Sequence, residues 1–427
     1  MPNLRTVLLA GTLDTKGCDF RFVRDLLMAA GLRVIVADFG VLREPDWTVD
    51  VPAKTVAAAA GVELDQLRQQ HDKALAMRVM SEGLAAIVER FHRNHEIDAM
   101  LSLGGSSGTA IATAAMRGLP VGFPKVMVST VASGETSQYT GGRDIIMIPS
   151  IVDVAGLNRI SRPIYQNAVA CVVGMLLHAP TAAKGEAGDR PLVAASMFGN
   201  TTECIERARK PVEGAGYEVI VFHATGAGGR TMQSLIAEGL ITGLLDLTTT
   251  ELADEVCGGV FSAGMDRVKM GANVAIPVVL APGCVDMCNF GTPDTVPNRY
   301  RDRNLYHWNS NVTLLRTDEE ENRRIGELLA ETANRCAGPV TVLLPLGGVS
   351  MLDRPGEPFW NPAADAACYE SLRRNLRPEV RCIEIDANIN DPEFADRAAA
   401  ELLATLALFK GEELGVYPTG NTAPAGR

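Results

Sequence analysis

Aromatic side chains are scarce in this chain: Phe, Trp and Tyr together make up 5% of its 427 residues. A core of ordinary size must therefore be aliphatic, and hydrophobic residues do reach 47%. That balance suits alternating α/β folds, whose buried strands are rich in Val, Ile and Ala. Cationic excess is missing as well. A formal net charge of −11 argues against a nucleic-acid partner and against an anionic membrane surface. No apolar run reaches the ~18 residues of a membrane span, and residues 168–177 read as a buried helix. Paired cysteines are missing too: the nine cysteines contain no C-x-x-C. Cys284 and Cys288 stand four apart with no second pair near them in sequence. An odd, unframed set of this kind fits the reduced thiols of a cytoplasm. The start of the chain lacks the charged region and cleavage site of a signal peptide. The expected location is cytoplasmic.

What the chain does have is centred on residues 97–116, I-D-A-M-L-S-L-G-G-S-S-G-T-A-I-A-T-A-A-M. Residues 99–103 are short, mostly apolar and bounded by polar or glycine residues, as a buried strand is. An alanine-rich helix opens near Thr109. Between them lie Gly104, Gly105, Ser106, Ser107, Gly108 and Thr109. Three glycines let a backbone come close to a ligand. Free amides at a helix N-terminus attract an anion, and Ser106, Ser107 and Thr109 can add hydroxyl donors. This is a candidate phosphate site. It is neither a Walker loop nor a G-x-G-x-x-G fingerprint. The competing reading is a tight strand-to-helix turn whose glycines serve packing.

The length suggests roughly two or three domains. Residues 5–10 read as a strand, 19–30 as a helix and 32–39 as the next strand, a unit that points to a parallel sheet. Residues 41–64 look irregular, and 67–92 read as one helix with Arg68, Lys73 and Arg78 on its solvated side. After a strand at 120–129, residues 130–143 form a polar loop that needs a partner to order it, which a ligand can supply. Gly134, Glu135, Thr136 and Arg143 in that loop are candidate nucleotide contacts. Residues 179–190 are the expected domain boundary. The second half repeats the grammar, with strands at 191–196, 217–222, 243–247, 274–281 and 340–345, each followed by polar and glycine residues. Parallel strands gather such ends on one edge. The expected fold is α/β, with two Rossmann-like parallel-sheet domains over residues 1–183 and 184–410 and a cleft between them. Residues 411–427 are expected to be a mobile tail.

Several runs together resemble one family. They are Gly11-Thr12-Leu13-Asp14-Thr15-Lys16-Gly17, the glycine turn at 104–109, and Val152-Asp153-Val154-Ala155-Gly156-Leu157-Asn158-Arg159-Ile160-Ser161-Arg162. They continue with residues 222–230, residues 245–255 and Asp286-Met287-Cys288-Asn289-Phe290-Gly291. In this order the runs look like the Tm-one-like family, the ATP-binding domain of the tomato mosaic virus resistance protein and its bacterial relatives. The resemblance spans most of the chain. It implies two Rossmann-like subdomains, ATP binding and self-association as a homodimer. It implies no particular reaction. One departure stands out: the family pattern His-Asn-Pro before Val312-Thr313 is replaced here by Trp308-Asn309-Ser310, with His307 displaced by one.

The candidate residues each have two readings. Asp14 and Lys16, with Thr12 and Thr15, follow the first strand. Lys16 can neutralise a phosphate and Asp14 can hold Mg²⁺ directly or through water; alternatively Asp14 caps a helix in a solvated turn. Arg143 and Asp144 carry the same pair of readings, with Asp144 a second candidate for the metal. His223 ends a strand and opens a glycine loop closing on Arg230. The histidine can act as a general base and the arginine can bind an anion bidentately, or the two can be loop and surface residues. Asp246, Glu251, Asp254 and Glu255 form a carboxylate set that is either a metal or acid/base site, with Asp246 as the catalytic member, or an acidic first turn suited to the helix dipole. The expected function is an ATP-binding protein that takes Mg²⁺ with the nucleotide and uses ATP on a small acidic metabolite. A regulatory module without turnover, and a hydrolase or lyase using His223 and Arg230, are the alternatives.

Overall fold

The computed structural model describes residues 4–178 and 190–413. Residues 179–189 of the expected boundary, and residues 414–427 of the expected tail, lie outside the described residues. The chain divides into two compact units, Met1–Glu186 and Ala187–Arg427.

The first unit is built on five strands: β1 (Thr6–Gly11), β2 (Arg33–Asp38), β3 (Ala99–Gly104), β4 (Lys125–Ser129) and β5 (Ile146–Pro149). They form one parallel sheet in the order β2-β1-β3-β4-β5. Helices cover both faces, so the central strands are apolar at almost every position instead of alternating. Along β1 the side chains point alternately up and down. Leu8 and Ala10 join one buried cluster, under Lys73–Arg93 and Ser106–Arg117. Val7 and Leu9 join the other, under Leu13–Ala29 and Ser161–Leu177.

Three helix boundaries differ from the sequence reading. The first helix begins at Leu13, directly after Thr12, and Lys16 is a non-helical kink inside it. The helix expected over 67–92 is two helices, Leu64–Gln70 and Lys73–Arg93. His71 between them is left-handed, with φ 51°. Asp72 then caps the second helix by accepting from the amides of Ala74 and Leu75, so the break is local capping chemistry overriding a continuous apolar period. The irregular stretch contains a short helix, Ala53–Ala59.

The second unit has a six-stranded parallel sheet of β6 (Leu192–Met197), β7 (Glu218–His223), β8 (Ile241–Thr248), β9 (Val278–Gly283), β13 (Val340–Pro345) and β14 (Arg381–Ile385). Its order is β14-β13-β9-β8-β6-β7. Between β9 and β13 the chain builds a small antiparallel sheet, β10 (Met287–Phe290), β11 (Leu305–Asn309) and β12 (Val312–Arg316), in the order β10-β12-β11. The parallel-strand grammar gave no sign of it. The last helix runs over Pro392–Glu413, so the chain is still helical at the point where a tail was expected. Among the described residues no helix is long and apolar enough to cross a membrane.

Candidate functional site

In the first unit β1 lies between β2 and β3, so the chain leaves β1 toward one side of the sheet and returns to build the other. The helix after β1 packs on one face and the helix after β3 on the opposite face. Their diverging starts leave a crevice at the carboxyl ends of the two strands, the place where open α/β sheets bind ligands. A cavity of about 690 Å³ lies there. Thr12, Asp14, Thr15 and Lys16 line it from β1, and Gly105, Ser106, Ser107 and Gly108 line it from β3. The far wall is apolar, with Phe39, Val41, Leu42, Leu67, Ala76, Met77, Met80 and Ile111; Arg68, His71 and Lys73 also border the cavity.

The β3 side is suited to an anion. Gly105 is the N-cap of Ser106–Arg117 and no side chain caps this helix. Its first-turn amides carry the positive end of the helix dipole toward the cavity. A Cβ built on Gly108 meets nothing within 4 Å, so the glycine leaves open space beside those amides. Gly104 serves packing instead, since its Cβ would stand 3.2 Å from the Gly108 backbone. Thr109 is fully buried and its hydroxyl pairs with Ser129 Oγ at 2.6 Å.

The β1 side carries charge. Lys16 Nζ donates to the Val154 carbonyl at 2.5 Å, which ties the loop to the 152–162 segment. Asp14 is buried; its Oδ2 accepts from the Leu42 amide and its Oδ1 has no hydrogen-bond partner. Asp38, at the end of β2, accepts from the amides of Leu13 and Gly40 through Oδ1. Burial pushes its carboxyl up to about 6, against the pull of those two amides.

Other expected residues lie elsewhere. Gly134, Glu135, Thr136 and Arg143 do not line the cavity. Glu135 accepts from the Ser137 amide at the start of the one-turn helix Ser137–Thr140. Asp144 pairs with the buried Lys125 at 2.7 Å and accepts from the Gly122 amide, so it shares no site with Asp14. Among the described residues no cluster of three or more His, Cys, Asp or Glu could hold a metal ion. Sequence reasoning missed the wall from residues 39–42 and 64–80. The sequence reading gave residues 67–92 a solvated side, but nothing local showed that part of this segment borders a cavity. Arg68 and Lys73, read as solvated, stand on its border.

In the second unit His223 is exposed at the end of β7, with its ring 5.4 Å from that of Phe198. Arg230 is exposed and donates to the Ser262 carbonyl. Asp246 is not beside them in solvent; it is fully buried in a bidentate pair with Arg267, at 2.7 and 2.9 Å. Arg267 Nε donates to Glu251, and Glu251 Oε1 accepts from the amides of Gly226 and Gly229. The glycine loop after β7 thus closes on a carboxylate of its own chain. A Cβ on Gly229 would stand 2.2 Å from that carboxylate, which is why glycine is required there. Asp254 is also buried and accepts from Asn289 and the Phe261 amide; burial pushes it up to about 7. Cys284 and Cys288 are buried thiols, as expected. Burial raises both, which leaves them unreactive.

Comparison with known proteins follows the two units. The N-terminal domain of an uncharacterised protein family (UPF0261) matches residues 5–181, and the C-terminal domain of the same family matches residues 190–406. A UPF0261 protein of Clostridium tetani is 45% identical over 400 residues, 93% of this chain and 98% of the relative. The UPF0261 protein RA0729 of Rhizobium meliloti is 42% identical over 93% of this chain and 98% of its own length. The ToMV resistance protein Tm-1(GCR237) of Solanum lycopersicum is 35% identical over 92% of this chain, which spans 55% of that protein.

Proposed function

The chain belongs to the UPF0261 family, and we propose that it is an ATP-binding protein whose nucleotide occupies the cavity of the first unit. The observation that carries the reading is the convergence of residues 12–16 and 105–108 on one cavity at a strand-order reversal. The phosphates lie against the uncapped start of Ser106–Arg117, with Ser106 and Ser107 as hydroxyl donors and Lys16 as the neutralising cation. The base lies on the apolar wall. A cavity of about 690 Å³ is of the size that holds a ligand of this class. Asp14, whose Oδ1 has no hydrogen-bond partner, is the carboxylate that would hold a Mg²⁺ ion there, and such an ion would supply charge neutralisation of the phosphates.

The catalytic extension of this reading is an enzyme that uses ATP on a small anionic metabolite; His223 and Arg230 are the candidate anion contacts within the second unit taken by itself. Both side chains are exposed at the carboxyl edge of the sheet, which supports access. The protein acts as a cytoplasmic homodimer. Calorimetric titration of the full chain with ATP, with and without Mg²⁺, tests the central claim. Saturable binding is expected, and no heat at millimolar ATP in either condition would remove it. ADP release on adding candidate carboxylates separates an enzyme from a regulatory module. A sedimentation mass of one chain at micromolar concentration, with and without ATP, rejects the dimer.

A further inference from the structure

Resting on the reading of His223 and Arg230 as anion contacts of the second unit, we propose that the ligand they serve is an aromatic carboxylate. Its flat ring lies over Gly199 against Trp308, and its carboxylate meets Arg230.

Aromatic residues make up only 5% of the chain, yet several gather where β6 and β7 end. Phe198 follows β6 and packs on His223 at the end of β7, with ring centroids 5.4 Å apart. Phe261 stands edge-on to Phe198 at 6.1 Å. Tyr306 and Trp308 come from β11, with their rings 6.4 Å apart. Phe198 is buried and anchors the group; Phe261 and Tyr306 are half-buried, and His223 and Trp308 are exposed. Trp308 is aimed by the backbone. β11 pairs with β12 as His307 with Thr313 and Asn309 with Val312, so Trp308 is the extra residue of a bulge. A bulge re-aims one side chain and is common beside a site. Trp308 also opens the triplet in which this chain departs from the pattern His-Asn-Pro.

Gly199 supplies the space. It is exposed, and a Cβ built on it finds Trp308 at 3.7 Å and no other side chain or backbone beyond its chain neighbours within 4 Å. The missing side chain therefore leaves room beside the indole, one residue from Phe198. Exposed Met351 is close by, since its amide donates to the Asn200 carbonyl at 3.2 Å. Aromatic rings gain from edge and offset contacts with one another beyond the area they bury, whereas a saturated ring gains the area alone. The charge is tied to the same group. Arg230, in the first turn of Ala227–Ala237, donates to the carbonyl of Ser262, the residue after Phe261. That acceptor is neutral, and among the described residues no carboxylate pairs with Arg230. The carboxylates of the surrounding loops are spent elsewhere: Glu251 on Gly226, Gly229 and Arg267, and Glu255 on the Ser262 hydroxyl. The N–H groups that remain on the guanidinium form a planar fork suited to a carboxylate.

Ligand-observed NMR titration of the full chain with benzoate, cyclohexanecarboxylate and benzyl alcohol tests this. Benzoate is expected to bind about fivefold tighter than cyclohexanecarboxylate, which has the charge without the aromatic face. It is expected to bind about fivefold tighter than benzyl alcohol, which has the ring without the charge. Gly199→Leu fills the open space and Trp308→Ala removes the indole; each should weaken benzoate about fivefold and leave the melting temperature unchanged, because both positions are exposed. Arg230→Ala should weaken both acids about fivefold and leave benzyl alcohol unchanged. Equal binding of the two acids, or benzoate binding untouched by Gly199→Leu and Trp308→Ala, would overturn the aromatic ligand; the anion reading would still stand if Arg230→Ala weakened both acids. Benzoate binding that needs Trp308 but ignores Arg230→Ala would remove the anion reading and with it the carboxylate. Absence of benzoate binding up to its solubility limit would overturn the proposal outright.

Discussion

At the strand-order reversal of the first unit, β1 and β3 end on a cavity; at the matching reversal of the second unit, the polar residues that follow β6 and β8 are buried. Counted from its own first strand, the second sheet repeats the order of the first and adds one strand beyond it. Yet Asn200, Thr201, Thr248, Thr249 and Thr250 after β6 and β8 are all buried. Thr201 and Thr248 share a hydrogen bond at 2.8 Å, and Thr250 donates to the Met287 carbonyl at the start of the small antiparallel sheet. Asn200 reaches the Met287 sulfur. The glycine loops differ in the same sense. The first leaves its amides uncapped beside open space, and the second gives two of its amides to Glu251. Topology therefore creates the opportunity for a site, and local sequence decides whether a ligand or the chain itself takes it.

The sharpest way to break this comparison is to remove the internal anion's partner. Arg267→Ala leaves Asp246 and Glu251 buried without their cation and is expected to destabilise the second unit by about 3–5 kcal/mol. Urea unfolding measures this, and ATP binding to the first unit should survive wherever the chain stays folded. A loss under 1 kcal/mol would mean that the pair is not the organising contact of that loop.

Next in size is the open loop. Gly108→Val adds a side chain whose Cβ meets no protein atom within 4 Å. The expected result is at least a hundredfold loss of ATP affinity, about 2.7 kcal/mol, with an unchanged melting temperature. Unaltered calorimetric affinity would make residues 104–109 a packing turn.

A comparable, pH-dependent effect belongs to Asp38. Its folded carboxyl sits at about 6 against an ordinary 3.8, so between these values the native state keeps a proton that the unfolded chain releases. The contribution of Asp38 to stability then falls as pH rises from about 4 to 6, by roughly 3 kcal/mol, and is constant above. Asp38→Asn keeps an oxygen for the Leu13 and Gly40 amides and should flatten that slope. Unfolding curves of the two proteins at pH 4, 5, 6 and 7 decide it. An equal slope in both would assign the proton elsewhere, for which the second unit's Asp254 is the obvious candidate.

The smallest effect concerns the cavity wall. Asp72→Ala removes the cap of Lys73–Arg93 and should cost about 1 kcal/mol. Because Lys73, Ala76 and Met77 lie in that first turn and a half, ATP affinity should weaken by a few fold at most. A larger loss would show that Asp72 touches the ligand itself.

Much of this was legible along the chain. The apolar runs of β1, β3 and β13 mark buried parallel strands, and the glycine turn after β3 marks the start of a helix. Asp14, Lys16, Ser106 and Gly108 could be picked out because each lies within a few residues of a strand end. The roles of Thr109 and Asp246 could not, because their partners, Ser129 and Arg267, are twenty or more residues away and carry no spacing signal. The break at His71 was hidden by an apolar period that runs through it.

By itself the sequence determined the α/β class and marked glycine loops at strand ends, because periodicity, glycine and capping act over a few residues. Tertiary structure alone decided which loops meet in one cavity, which polar groups of its wall are already bonded, and that the second unit satisfies its glycine loop with its own Glu251. Those outcomes depend on groups distant in sequence competing for the same hydrogen bonds and the same space, and that competition is settled only when the chain is folded.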